Sequence, residues 1–176
     1  MAKRIKKGGG AVGFVLLLVA LAMLVVAIVG VCIDWISTKV TAAGYTGEPI
    51  FQSLSELFDD FKDSDSDIAG KFKLMAAFAI LTVILAGGTT VFAGITKVLG
   101  WKLFKFLLVV IAIVCVICGV VSIITTYTFC DQMSISGDIL DWIQTGSKTS
   151  PYIGAWLTPI GGVLCGLVGV GVAVKS

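Results

Sequence analysis

The chain has 176 residues, of which 57% are hydrophobic and 14% charged, with a formal net charge of +2. Its mean hydropathy of +1.05 places it in the membrane class rather than among soluble globular domains, and its length fits one domain. Histidine is absent, which removes imidazole metal ligands, the commonest general base and the usual pH switch near neutrality.

The first apolar span covers 11–33, behind the basic residues Lys3, Arg4, Lys6 and Lys7 and the flexible Gly8, Gly9 and Gly10. A signal-peptide core is only about 7–15 residues, so an uncleaved first helix is expected. Val31 also stands where a lipobox before Cys32 would want a small residue. Further spans are expected at 74–95, 106–127 and 153–174, each close to the roughly 20 residues a bilayer demands. None of these spans contains Asp, Glu, Lys or Arg. Pumps and coupled transporters usually show buried charges, so the pattern argues against them.

Orientation follows from the connecting segments. Lys97, Lys102 and Lys105 lie between spans two and three, Lys175 closes the chain, and no acidic residue accompanies them. Positive charge stays on the cytoplasmic side, which predicts cytoplasmic termini and outward-facing loops at 34–73 and 129–150, both net acidic. Trp35, Tyr127, Tyr152 and Trp156 then fall near the outer boundary, and Trp101 and Phe104 near the inner one, where amphipathic rings prefer to sit. The expected fold is an all-α membrane protein: a four-transmembrane-helix bundle over 1–176 with a small extracellular strand-plus-helix elaboration, in a plasma or cytoplasmic membrane.

In the first outer loop, Ile36, Thr38 and Val40 alternate with polar neighbours and predict a half-buried strand over 35–41. Gly44, Gly47 and Pro49 supply turn residues, and Ser53-Leu54-Ser55-Glu56 matches a capping box at a helix start. Phe51, Leu54, Phe58 and Phe61 recur at helical spacing and give that helix an apolar side, expected to pack on the outer ends of the spans or on the strand, or to dock another subunit or protein. Asp63, Asp65 and Asp67 alternate with serines, but Ile68 and Leu74 occupy the positions where a calcium loop needs Gly and Glu. A solvated acidic turn is expected, with no metal site. In the second loop Ile139, Leu140, Trp142 and Ile143 cluster beside Asp138 and Asp141, which reads as a short helix on the membrane surface. Trp142 is a candidate anchor for a partner, since Trp is enriched at binding hot spots.

Cys115-Val116-Ile117-Cys118 is the one motif with chemistry in it, because a C-x-x-C pair can act in dithiol exchange once a thiolate forms. Its place near the middle of a span, without a neighbouring cation, favours two small packing residues instead. Cys32 and Cys130 both fall near the outer boundary and are a possible disulfide, provided their Cα atoms come within about 7 Å. Gly162 and Gly166 have the small-xxx-small spacing of close helix contacts. Pro159 is expected to kink the fourth span by freeing the carbonyl of Ala155. So many small positions leave a face available for a neighbouring subunit.

Taken together, the topology resembles the claudin-like tetraspans: a longer first outer loop beginning with Trp35, a short basic inner turn, and a fourth span with Gly154-Ala155-Trp156 and Gly161-Gly162-Val163-Leu164-Cys165. The first outer loop lacks that family's Gly-Leu-Trp run and paired cysteines. The resemblance implies a left-handed bundle with an outer sheet and side-by-side assembly. The leading expectation is a non-enzymatic protein that assembles laterally or binds a partner through its acidic outer loops, with contacts at Trp35, Phe51, Phe58 and Trp142. It would need no cofactor, and its partners would be the lipid bilayer and a second copy or another membrane protein, not nucleic acid. The alternatives are a channel formed by several copies around a shared pore, with acidic residues at its outer mouth, and a thiol-redox enzyme using Cys115 and Cys118.

Overall fold

The computed structural model describes residues 9–42, 45–64, 66–99, 102–140 and 143–175. Elements run α1 (Gly9–Cys32), β1 (Asp34–Ala42), β2 (Tyr45–Thr46), β3 (Ile50–Ser53), α2 (Leu54–Phe61), α3 (Asp67–Leu99), α4 (Lys102–Met133), β4 (Ile135–Leu140), β5 (Ile143–Pro151) and α5 (Ile153–Lys175). Among the described residues, α1, α3, α4 and α5 are the four helices long and apolar enough to cross a membrane, and the chain is an integral membrane protein.

The long helices pack α1 on α5, α5 on α4, and α4 on α3, with α3 also touching α1 and α5. Glycines set how closely they approach. A Cβ on Gly161 would stand 2.8 Å from the backbone nitrogen of Ala27 and from the carbonyl oxygen of Met23, and one on Gly166 would stand 2.7 Å from the carbonyl oxygen of Ala112. With hydrocarbon on the outside, no hydrophobic force drives helices together, and close backbone packing of small residues takes its place. Three buried hydroxyls of α3 are satisfied locally: Thr82, Thr89 and Thr90 donate to the carbonyls of Phe78, Leu85 and Ala86 one turn back, at 2.7–2.9 Å. Thr158 instead crosses to α1, donating to the carbonyl of Ala27 at 3.3 Å. α5 runs through Pro159 as one helix.

One end of the helices carries an antiparallel sheet ordered β2-β1-β5-β4, with β3 also on β1. The predicted strand over 35–41 is β1. The surface helix expected in the second outer loop is instead the hairpin of β4 and β5, with Ile135 opposite Ser147. β5 in turn pairs with β1 from Ile36↔Pro151 to Ala42↔Thr145, so the second loop joins a sheet whose other strands come from the first loop. Both central helices outrun the expected spans: α3 starts at Asp67 and α4 continues to Met133. Ser66 Oγ accepts from the amide of Ala69 and so caps the start of α3.

A core sits beneath the sheet, where Trp35, Ile36, Leu57, Phe72, Met75 and Phe129 are buried together. Phe72 and Phe129 lie 5.9 Å apart, each also facing Phe61 of α2. This aromatic cluster ties α2 to the extended ends of α3 and α4. At the level of Tyr127 and Trp156 the two rings meet edge to face at 5.7 Å.

Candidate interaction surface

Trp35 is one of the four contact residues expected from sequence, and in the fold its side chain is enclosed. It is 0% exposed. Its indole Nε1 donates to the carbonyl of Gly30 at 2.7 Å, one of the last carbonyls of α1, which have no partner within the helix. Its own carbonyl accepts from the amide of Tyr152 at 2.7 Å. Trp35 therefore closes α1 and joins β1 to the start of α5. Gly154 leaves room for it, since a Cβ there would stand 2.8 Å from the Trp35 ring and 2.7 Å from the carbonyl oxygens of Gly30 and Asp34.

Phe51 lies in β3, opposite Ser37, and not on the helix to which its spacing assigned it. Its ring packs on Tyr152 at 4.7 Å and stays 42% exposed. Leu54 and Leu57 form the buried side of α2, whereas Phe58 is 55% exposed, its ring 6.5 Å from that of Phe72. The capping box is present: Ser53 Oγ accepts from the amide of Glu56, and Glu56 accepts from the Ser53 amide at 2.8 Å. The Ser53 backbone amide, and after it the Ser53 hydroxyl, hold the Glu56 carboxyl below its ordinary pKa. Around Phe58, Asp59 pairs with Lys62 at 3.0 Å and Asp60 accepts from Gln52 at 3.1 Å.

The sheet supplies a feature that sequence reading missed. Ile36, Thr38 and Val40 share one face of β1 with Ile50, the β3 partner of Thr38. That face is covered at Ile36, which is 0% exposed, but it opens along the strand until Val40 and Ile50 are 47% and 57% exposed. The alternation in 35–41 could have raised this, because a strand longer than the core beneath it must uncover its apolar side. On the other face Lys39 stands directly opposite Lys148, both exposed.

Trp142 and Asp141 lie outside the described residues, as do Gly44, Asp65, Trp101 and the basic residues Lys3, Arg4, Lys6 and Lys7. Gly162 and Gly166 face inward: a Cβ on Gly162 would run into the side chain of Thr82, and one on Gly166 into Ala112 and Val116. The disulfide considered for Cys32 and Cys130 is not formed; both are free thiols, Cys32 exposed and Cys130 buried, on different helices. Cys115 and Cys118 are buried free thiols. Cys115 Sγ lies 3.3 Å from the carbonyl of Gly162, joining α4 to α5. Cys165 Sγ reaches the carbonyls of Ala86 at 3.4 Å and Ala20 at 3.6 Å. These two thiols act as weak donors between helices.

No protein-family model matches the chain, and no curated protein matches it.

Proposed function

We propose that the protein is a non-enzymatic tetraspan that assembles side by side, or binds another membrane protein, through the cap formed by the sheet and α2. In this reading the four long helices form a bundle in a plasma or cytoplasmic membrane, with both termini cytoplasmic and the cap outside. The charge distribution supports that orientation: Lys97, Lys102, Lys105 and Lys175 lie at the end away from the sheet, without acidic neighbours.

The observation that carries the reading is the half-uncovered apolar face of the sheet at Val40 and Ile50, together with exposed Phe58 beside Asp59 and Asp60 of α2. Apolar side chains outside the bilayer and rimmed by charge mark contact surfaces. The helix glycines contribute less to assembly than their number implies, because Gly161, Gly162, Gly166 and Gly169 are taken up in contacts within the chain. The resemblance to claudin-like tetraspans agrees with lateral assembly as an analogy of architecture.

The test is chemical cross-linking of the full chain in native membranes. Wild type should give a ladder or a discrete hetero-complex, and Phe58→Asp and Ile50→Ser should each reduce it while the protein remains folded and inserted. A cross-linking pattern identical in all three would refute the cap as the contact surface.

A further inference from the structure

All 11 acidic residues fall between Asp34 and Asp67 or between Asp131 and Asp141. The opposite end of the molecule therefore holds lysines, with no acidic residue near them in sequence. Lys97 stands in the last turn of α3, Lys102 and Lys105 in the first turn of α4, and Lys175 in the last turn of α5. Lys97 leans toward α1, its ammonium 5.1 Å from the ring centroid of Phe14. Lys102 is exposed and Lys105 half-buried.

The C-terminal stretch of α3, which carries Lys97, has along one face a shallow apolar groove lined by Val91, Gly94, Ile95, Val98 and Leu99. Its floor is Gly94, where an added Cβ would meet nothing within 4 Å. Phe92 and Phe104, with ring centroids 6.3 Å apart, hold the start of α4 against α3 next to it. The groove and the lysines are independent features, one apolar and one cationic: the groove ends at Leu99 and α4 begins at Lys102. An amphiphile with an acyl chain and an anionic head matches both.

We propose that this end of the protein holds an anionic phospholipid, with one acyl chain along the groove at Gly94 and the phosphate at Lys102 and Lys105. Juxtamembrane lysines each contribute about 1 kcal/mol toward anionic lipid, and a chain seated in the groove localises that attraction to one molecule. The site belongs to whichever leaflet the basic end faces, and it does not rest on the cap being an assembly surface.

The experiment is native mass spectrometry of the full chain released from nanodiscs made of phosphatidylglycerol and phosphatidylcholine with identical acyl chains. Wild type should retain phosphatidylglycerol in preference to phosphatidylcholine. The double substitution Lys102→Gln/Lys105→Gln leaves the Lys97 contact with α1 in place and should weaken that retention by about 30-fold. Gly94→Phe fills the groove without altering a charge, and because a Cβ there meets nothing within 4 Å the ring can enter it; this variant should also abolish the preference. Circular dichroism checks that both variants stay folded. Equal retention of the two lipids by wild type would overturn the proposal. So would a loss confined to the lysine variant, which means diffuse surface attraction, or a loss confined to Gly94→Phe, which means that the headgroup is not read at Lys102 and Lys105.

Discussion

Replacing Trp35 with Phe separates a structural role for this residue from a contact role. The substitution keeps an aromatic ring in the core but removes the Nε1–H that reaches the Gly30 carbonyl at 2.7 Å. Gly30 is itself buried, against Thr158 of α5, where a Cβ would stand 2.6 Å from the Thr158 backbone nitrogen. Water therefore has little room to replace the lost donor. An orphaned buried carbonyl costs about 1–3 kcal/mol, and the smaller ring forfeits about another 1 kcal/mol of burial. Trp35→Phe should thus lower unfolding free energy by about 2–4 kcal/mol in a mixed-micelle denaturation series, with the effect present in isolated single copies. Trp35→Ala, which also opens a cavity, should cost about 3–5 kcal/mol. A Trp35→Phe variant of wild-type stability would refute the capping argument.

Five further substitutions test the packing and the cap. A Cβ at Gly161 would press on the backbone of Ala27 and Met23, so Gly161→Ala should destabilise by about 1–3 kcal/mol in the same denaturation series, whereas Gly94→Ala, with open space around it, should be neutral or slightly stabilising. Lys39 and Lys148 oppose each other across β1 and β5, so Lys148→Glu should raise stability by about 0.2–1 kcal/mol, an increase that high salt diminishes. Ser53→Ala removes the N-cap of α2 and should cost about 0.5–2 kcal/mol, read as faster amide exchange in α2. Because the folded-state pKa of Glu56 is depressed, its contribution is present above the ordinary carboxylate pKa and lost as pH falls through the lower folded value; Glu56→Gln should remove that part of the acid dependence of α2 exchange.

The membrane-crossing helices, the strand over 35–41 and the capping box could all be read from sequence because each has a local cause: hydrophobic length, period-two alternation, and paired side-chain and backbone groups three residues apart. What escaped was set by long-range pairing. Phe51 fits a helical spacing with Leu54, Phe58 and Phe61, but its register on Ser37 draws it into β3. The apolar run from Ile139 to Ile143 fits a surface helix, but Leu140 pairs with Ile143 between β4 and β5, and β5 continues along β1. A tryptophan at the mouth of a span looks the same whether it faces headgroups or caps a helix, so the burial of Trp35 could not be seen locally. The glycines of α5 announce close contacts but do not name the neighbour, and here the neighbours are α1, α3 and α4 of the same chain.

The most direct test of the central claim is the single-particle mass of the full chain in nanodiscs large enough for several copies, compared between wild type and Phe58→Asp. The account predicts wild-type particles holding more than one copy or a co-purifying membrane partner, and single copies for Phe58→Asp with the same helical content. Wild-type particles that hold one copy and no partner, or a Phe58→Asp variant that assembles as wild type does, would contradict it.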